Sequence, residues 1–398
     1  MRQVRTGDFK FSEEEKKIMN EVIDSNRVTE HKHTKKFEKK WAKAIGTKYS
    51  IAVNSGTSAL IAGLHALKHL SGDKRRTKVI TSPVTYVATS NAIRLSGLEP
   101  VYGDIDKNTF ELLPSEIEKI LKEQDPSEFL AILPVHLMGY PCKMDEINQI
   151  AKQNNLFSFE DAAQAHGTKY KGKVVGSYGD LSDFSFYIAH NIQVGELGAI
   201  NTNNPDIKRL VKKIKSNGRS CACDICGRME DNCPQINSYK GDEDFDPRFT
   251  HDILGFNFRT NEFATALAAH KIDELESANI KRRSNVIQLN EGLSQYSKQL
   301  QLPIYSEDVS YLGYPVIVKD GSRKKIRMAL ESKGVETRTL FGCIPLHQPS
   351  FADLKAEYKD KLPNAKHVGE NGFYIGVHQY LEDKDLEHIV KSFKEVLK

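Results

Sequence analysis

Apolar positions along the first half of this chain alternate between a helical period and short strand-like runs. Ser12-Glu13-Glu14-Glu15 stands just before Ile18, Val22 and Ile23. There a serine hydroxyl and a glutamate three residues on can satisfy each other's backbone N–H groups, the capping box that opens a helix. Ile51-Ala52-Val53 reads as a short strand, and Asn54-Ser55-Gly56-Thr57-Ser58-Ala59-Leu60 as a turn feeding a helix that carries Leu60, Leu64 and Leu67. Val79-Ile80 precedes a predicted helix over 85–95, and Pro100-Val101-Tyr102 precedes one over 114–121. Residues 129–135 are nearly all apolar, the pattern of a strand covered on both faces. A helix over 144–153 leads to Leu156-Phe157-Ser158-Phe159, and 184–187 and Ala199-Ile200 read as further strands. Such alternation predicts an α/β chain with a mainly parallel sheet and helices on both faces.

The pattern breaks over 216–250, a stretch rich in Cys, Asp, Gly and Pro with no clear period. A loop this long inside a compact domain is usually functional or disordered. A long helix over 261–293 follows and leads into a smaller C-terminal domain. There Tyr314-Pro315-Val316-Ile317-Val318 reads as a strand, 323–332 as a helix, 335–339 as a strand and 383–397 as a final helix.

The length of 398 residues allows roughly two to three domains. A net charge of +4, with basic residues scattered among 53 acidic ones, leaves no stripe for nucleic acid. Groups such as Lys74-Arg75-Arg76 and Lys281-Arg282-Arg283-Ser284 are expected to solvate surfaces. No apolar run reaches the roughly 18 residues of a membrane span, and the polar first ten residues lack a signal-peptide core. A cytoplasmic protein with no membrane partner is the expectation. In a reducing compartment, Cys221, Cys223, Cys226 and Cys233 are then expected to stay out of disulfides.

Gly56-Thr57-Ser58 falls between a strand and a helix. Free N–H groups at a helix start, with two hydroxyls, make a phosphate site, although strand–Gly–helix turns are common for purely structural reasons. Glu160-Asp161 ends a strand, where open parallel sheets place ligands. A carboxylate there can hold a protonated pyridine nitrogen and make the ring an electron sink, or it can simply cap the next turn. Ser185 offers a second phosphate hydroxyl, and Tyr86 a ring face for stacking.

The set Asn54-Ser55-Gly56-Thr57-Ser58-Ala59-Leu60, Glu160-Asp161-Ala162-Ala163-Gln164-Ala165-His166-Gly167, Ser185-Phe186-Tyr187 and Gly255-Phe256-Asn257-Phe258-Arg259 resembles the DegT–DnrJ–StrS nucleotide-sugar aminotransferases, from about Phe37 onward. The resemblance implies a fold-type I architecture dependent on pyridoxal phosphate: a three-layer αβα domain plus a smaller C-terminal α/β domain. It implies an N-terminal helix and entry segment over 1–30, a large cofactor-binding domain over 31–270, and a linker helix with a small domain over 271–398. It further implies a homodimer with shared active sites. By motif position Gly56, Thr57, Ser58 and Ser185 would hold the phosphate, and Tyr86 would stack on the ring. Asp161 would pair with the pyridine nitrogen, Gln164 would sit near the ring hydroxyl, and Asn257 would reach the neighbouring subunit's phosphate. Val28-Thr29-Glu30-His31 departs from the Thr-x-Gly often found near the family's entry segment.

His190 occupies the slot of the family's cofactor-binding lysine. Imidazole cannot hold pyridoxal phosphate covalently and can only move protons. In place of lysine it resembles the family's 3-dehydrase branch, which removes the C3 hydroxyl of nucleotide-linked 4-keto-6-deoxyhexoses with pyridoxamine phosphate. A neutral imidazole of ordinary pKa, roughly 6.5, is a suitable base near pH 7. A decayed site or a core histidine is the bland alternative.

The cysteines run C-x-C-x2-C-x6-C from Cys221 through Cys223 and Cys226 to Cys233. Four thiolates can bind zinc or an iron–sulfur cluster. Zinc modules usually place two pairs roughly 12 to 20 residues apart, so the tighter spacing suits a 2Fe–2S centre better. With His190, the cluster resembles the CDP-4-keto-6-deoxyglucose 3-dehydrase branch, in which a flavin iron–sulfur reductase or ferredoxin supplies electrons. A cluster-free 3-dehydratase that regenerates its cofactor from glutamate, an ordinary sugar aminotransferase and a non-catalytic binding protein are the competing readings.

Overall fold

The computed structural model describes residues 2–221, 223, 233–237 and 249–397. In chain order the strands are β1 (Tyr49–Val53), β2 (Lys78–Thr81), β3 (Glu99–Tyr102), β4 (Phe129–Leu133) and β5 (Phe157–Asp161), then a hairpin of β6 (Lys169–Tyr170) and β7 (Lys173–Val174), then β8 (Leu181–Ser185) and β9 (Gly198–Thr202). A seven-stranded sheet takes the order β1-β9-β8-β5-β4-β2-β3. Its pairs from β8 to β3 are parallel, and β9 runs antiparallel to both neighbours. Five consecutive buried residues in β4 match the expectation of a strand covered on both faces.

The helices around this sheet are α1 (Glu13–Asp24), α2 (Lys32–Ile45), α3 (Gly56–Ser71), α4 (Ala88–Leu95), α5 (Pro114–Glu123), α6 (Met144–Gln153) and α7 (Pro205–Ile214). The capping box at Ser12 and Glu15 forms as the sequence predicts. α4 starts three residues later than predicted. Thr85 and Tyr86 lie in the turn before it, where the Thr89 N–H bonds back to the Tyr86 carbonyl. β8 likewise ends at Ser185, because Phe186 leaves the sheet and pairs across its own loop with Leu197 and Val194.

Strand periodicity decides what faces α3. A side chain on Gly63 of α3 would collide with Phe159 of β5 and Leu181 of β8. Two residues on, Asp161 and Asp183 therefore project on the same face, nearer the carboxyl ends. Behind the sheet, Trp41 packs edge-on against Phe184 and Phe186. Such aromatic pairs add about 0.5–1.5 kcal/mol beyond their buried area.

The long helix Glu262–Leu293, capped by Asn261, carries the chain onward. Beyond it β10 (Leu300–Gln301), β11 (Tyr314–Val318), β12 (Thr337–Thr339) and β13 (Gly372–Ile375) form an antiparallel sheet in the order β10-β11-β13-β12. The N-terminal segment packs on this sheet's side of the molecule: Val4 bridges to Val335, and Thr6 bonds the Glu336 carboxylate. One basic residue expected at the surface is inside. Arg282 is 1% exposed, and its guanidinium donates to the carbonyls of Tyr311 and Leu312 and to Gln379. It thereby ties the long helix to the small domain. Among the described residues, no helix is long and apolar enough to cross a membrane.

Candidate active site

A cavity of about 550 Å³ opens at the carboxyl ends of the large sheet, beneath β12 and β13 of the smaller one. Gly56, Thr57, Tyr86, Asp161, Gln164, Ser185 and His190 all line it. The start of α3 forms one wall. Ser55 is the N-cap, and its hydroxyl accepts the Ser58 N–H at 3.1 Å. The N–H groups of Gly56 and Thr57 are left at the positive end of a sixteen-residue helix. A Cβ on Gly56 would stand 2.6 Å from that of Ser185, so glycine is what lets the helix start meet the end of β8. Ser58 departs from expectation. Its hydroxyl is buried and shares a 3.0 Å hydrogen bond with Ser55, and Ser55 takes its place in the lining.

Asp161 stands at the end of β5. Thr89 donates to its Oδ2 at 2.8 Å and the Ala163 N–H to its Oδ1 at 3.3 Å. Burial nevertheless outweighs these bonds and raises its pKa. Its sequence neighbour Glu160 points to the other face and accepts the N–H groups of Gly176, Tyr178 and Gly179, each at 2.7 Å. Glu160 thus organises a loop, and Asp161 is left for the cavity. Gln164 is oriented by the Met138 N–H, which donates to Oε1 at 3.0 Å. That bond turns the amide NH2 into the available donor.

His190 closes a loop that begins at Ser185. Its Nδ1 lies 2.8 Å from the Ser185 carbonyl oxygen. The next residue, Asn191, donates to the Ser310 carbonyl at 2.9 Å and to Asn279 at 3.2 Å. A carbonyl only accepts, so Nδ1 carries the proton and Nε2 holds a lone pair. The expectation of an ordinary imidazole needs correction. Burial, with the Arg282 charge adding, lowers the His190 pKa to about 4 against a partial counter-effect of the Ser185 carbonyl. His166, its ring 6.0 Å away, is buried without a hydrogen bond at either nitrogen among the described residues.

Several lining residues carried no role in the sequence reading. Thr89, Asp183, Glu196 and, from the small domain, Arg338, Phe341 and Tyr374 all reach the cavity. A charged residue between Leu181 and Phe184 in a strand of the central sheet was the available signal for Asp183. Tyr86 is 59% exposed and meets Phe341 edge-on, which leaves ring surface open. Asn257 does not line this cavity. It is exposed and its backbone bridges to Ser216.

The entry and exit of the cysteine segment are pinned together. Ser220 N–H bonds the Thr250 carbonyl, and Asp252 N–H that of Gly218. Cys221 and Cys223 bring their sulfurs to 3.1 Å. Cys233 is buried, and Cys226 lies outside the described residues. Among the described residues, no three candidate metal ligands converge.

The chain is similar over most of its length to proteins of two chemistries. It is 30% identical over 395 residues to the lipopolysaccharide biosynthesis protein RfbH of Salmonella typhimurium, covering 96% of this chain and 89% of the relative. It is 29% identical to dTDP-4-dehydro-2,6-dideoxy-D-glucose 3-dehydratase of Saccharopolyspora spinosa, covering 98% and 86%. Among solved structures, an aminotransferase from Psychrobacter cryohalolentis superposes with a TM-score of 0.84 at 26% identity, over 98% of this chain and 97% of that one. The family model DegT/DnrJ/EryC1/StrS aminotransferase matches residues 10–394. With a helix start facing a serine, a strand-end aspartate and an oriented glutamine around one cavity, the chain belongs to the DegT/DnrJ/EryC1/StrS aminotransferase family.

Proposed function

We propose that this chain is a pyridoxamine-phosphate-dependent 3-dehydrase that removes the C3 hydroxyl of a nucleotide-linked 4-keto-6-deoxyhexose. The observation that carries the reading is His190: an imidazole, fixed as its Nδ1–H tautomer by Ser185, stands in the family's lysine slot on the cavity wall. The residues present fit the cofactor. Gly56 and Thr57 N–H groups with the Ser185 hydroxyl suit a phosphate, the Asp161 carboxylate suits a pyridinium, and the Gln164 amide suits a ring oxygen. When bound, pyridoxamine phosphate supplies an amine to condense with the sugar ketone and a ring that draws off electrons.

The protein's part is proton traffic and orientation. His190 takes a proton at Nε2. Because burial makes its conjugate acid stronger than ordinary imidazolium, it readily returns that proton to the departing C3 oxygen. Asp161 keeps a proton on the ring nitrogen, and Tyr86 covers a ring face. A second copy completing the site through Asn257 belongs to the same proposal.

One deoxygenation consumes the cofactor's amine, so repeated turnover needs either two electrons or a fresh amine from outside. The C-x-C-x2-C-x6-C spacing of Cys221, Cys223, Cys226 and Cys233, with the first two sulfurs 3.1 Å apart, supports a 2Fe–2S centre served by a flavin iron–sulfur reductase or ferredoxin. The test is an anaerobic incubation of the pyridoxamine-phosphate-loaded protein with a panel of nucleotide-linked 4-keto-6-deoxyhexoses, with and without reductant. Mass spectrometry should find repeated turnover to 3-deoxy sugar with reductant, and without it at most one equivalent of 3-deoxy sugar per bound cofactor, with ammonia released. An amino sugar as the sole product would reject the proposal.

A further inference from the structure

Asp183 is the buried acid that the site described so far does not use. It is fully buried, lines the cofactor cavity, and has no hydrogen-bond donor at either carboxylate oxygen among the described residues. It lies opposite Asp161 in the parallel register of β5 and β8. Side chains at such a pair share a face on strands about 4.8 Å apart. Two buried carboxylates set side by side do not readily ionise together.

Asp161 has the spare capacity to take the missing proton's hydrogen bond. A carboxylate offers about four lone-pair sites, and Thr89 and Ala163 occupy two of those on Asp161. Burial, with Asp161 beside it, pushes the Asp183 carboxyl well above its ordinary range. His136 acts on the pair from the Asp161 side, and His190, Glu196 and Arg338 line the same cavity.

We infer that Asp183 is a positioning residue: its protonated carboxyl donates a hydrogen bond to Asp161 and keeps that carboxylate ionised but weakly basic. The consequence, which rests on the proposed placement of the cofactor ring against Asp161, is that the proton stays on the ring nitrogen rather than returning to Asp161. Asp183 thus sustains the electron sink without touching the reacting atoms.

Infrared spectroscopy of the cofactor-free and the pyridoxamine-phosphate-loaded protein at neutral pH should show a protonated-carboxyl stretch that Asp183→Asn and Asp183→Leu both abolish. Nitrogen NMR of ring-labelled cofactor should place Asp183→Asn, which still donates, with the wild type. Asp183→Leu, which cannot donate, should shift toward unprotonated pyridine. A wild-type protein without the acid band, or a Leu variant with the wild-type ring signal, overturns the inference. A ring signal indifferent to Asp161→Asn instead overturns the cofactor placement beneath it.

Discussion

The Nδ1 nitrogen of His190 and the backbone oxygen of Ser185 lie 2.8 Å apart. This contact joins Ser185, proposed to bind phosphate, to His190, proposed to move a proton, five positions along one loop. It also selects the tautomer in which Nε2 is free to act as a base. His190→Gln keeps a polar side chain but removes that base. Deuterium exchange at the cofactor methylene should fall by about 100-fold or more, the usual span of general base catalysis. Undiminished exchange would reject the assignment.

His190→Lys should restore covalent capture. With pyridoxal phosphate and borohydride, the variant is expected to gain the mass of one reduced cofactor, whereas the wild type gains none. Absence of the adduct would mean that position 190 does not face the aldehyde.

Gly56→Ala tests the phosphate cradle. The added methyl meets Ser185 at 2.6 Å between Cβ atoms, a contact that backbone and strand must relieve by moving apart. Cofactor affinity should drop at least about tenfold, equivalent to ~1.4 kcal/mol, with little change in circular dichroism. Unchanged affinity by equilibrium dialysis would place the phosphate elsewhere.

Acid should destabilise the fold through imidazoles held wholly or partly out of water. Burial holds His65, His190 and His378 at about 4. The unfolded chain protonates these groups near the ordinary value of roughly 6.5, so it binds more protons than the native state between the two. Stability is therefore present above pH ~6.5 and lost as pH falls toward 4, at up to about 1.4 kcal/mol per pH unit for each histidine. Denaturant titrations across this window should show the slope, and His378→Asn should lessen it by one proton.

Much of this fold is legible because its elements carry their own punctuation. The long helix begins beside Asn261, a residue that caps, and the helices Met144–Gln153 and Arg323–Ser332 have the predicted bounds. The site was legible where a motif binds side chain to backbone, as at Gly56 and Asp161. It was obscure where three-dimensional neighbours decide. Ser55 and Ser58 look equivalent in sequence, yet Ser58 is buried against the Ser55 cap, and Ser55 is the one that lines the cavity. Arg282 reads as one of a basic run, but helix periodicity turns it inward to three acceptors. The lowered basicity of His190 follows from burial and from that same guanidinium, and neither is visible in the motif.

The cysteine segment makes a separate claim about metal. Anaerobic reconstitution should yield iron and acid-labile sulfide in equal amounts, and Cys221→Ser should lose both. Zinc bound without sulfide would leave dehydration without reduction.

A 3-dehydrase breaks a C–O bond at C3, whereas an aminotransferase exchanges an amine at C4. The most direct measurement follows a nucleotide-linked 4-keto-6-deoxyhexose carrying heavy oxygen at C3, incubated with the pyridoxamine-phosphate-loaded protein. Heavy oxygen should appear in water as the sugar is consumed, and His190→Gln should stop its release. Heavy oxygen retained in an amino sugar product would contradict it.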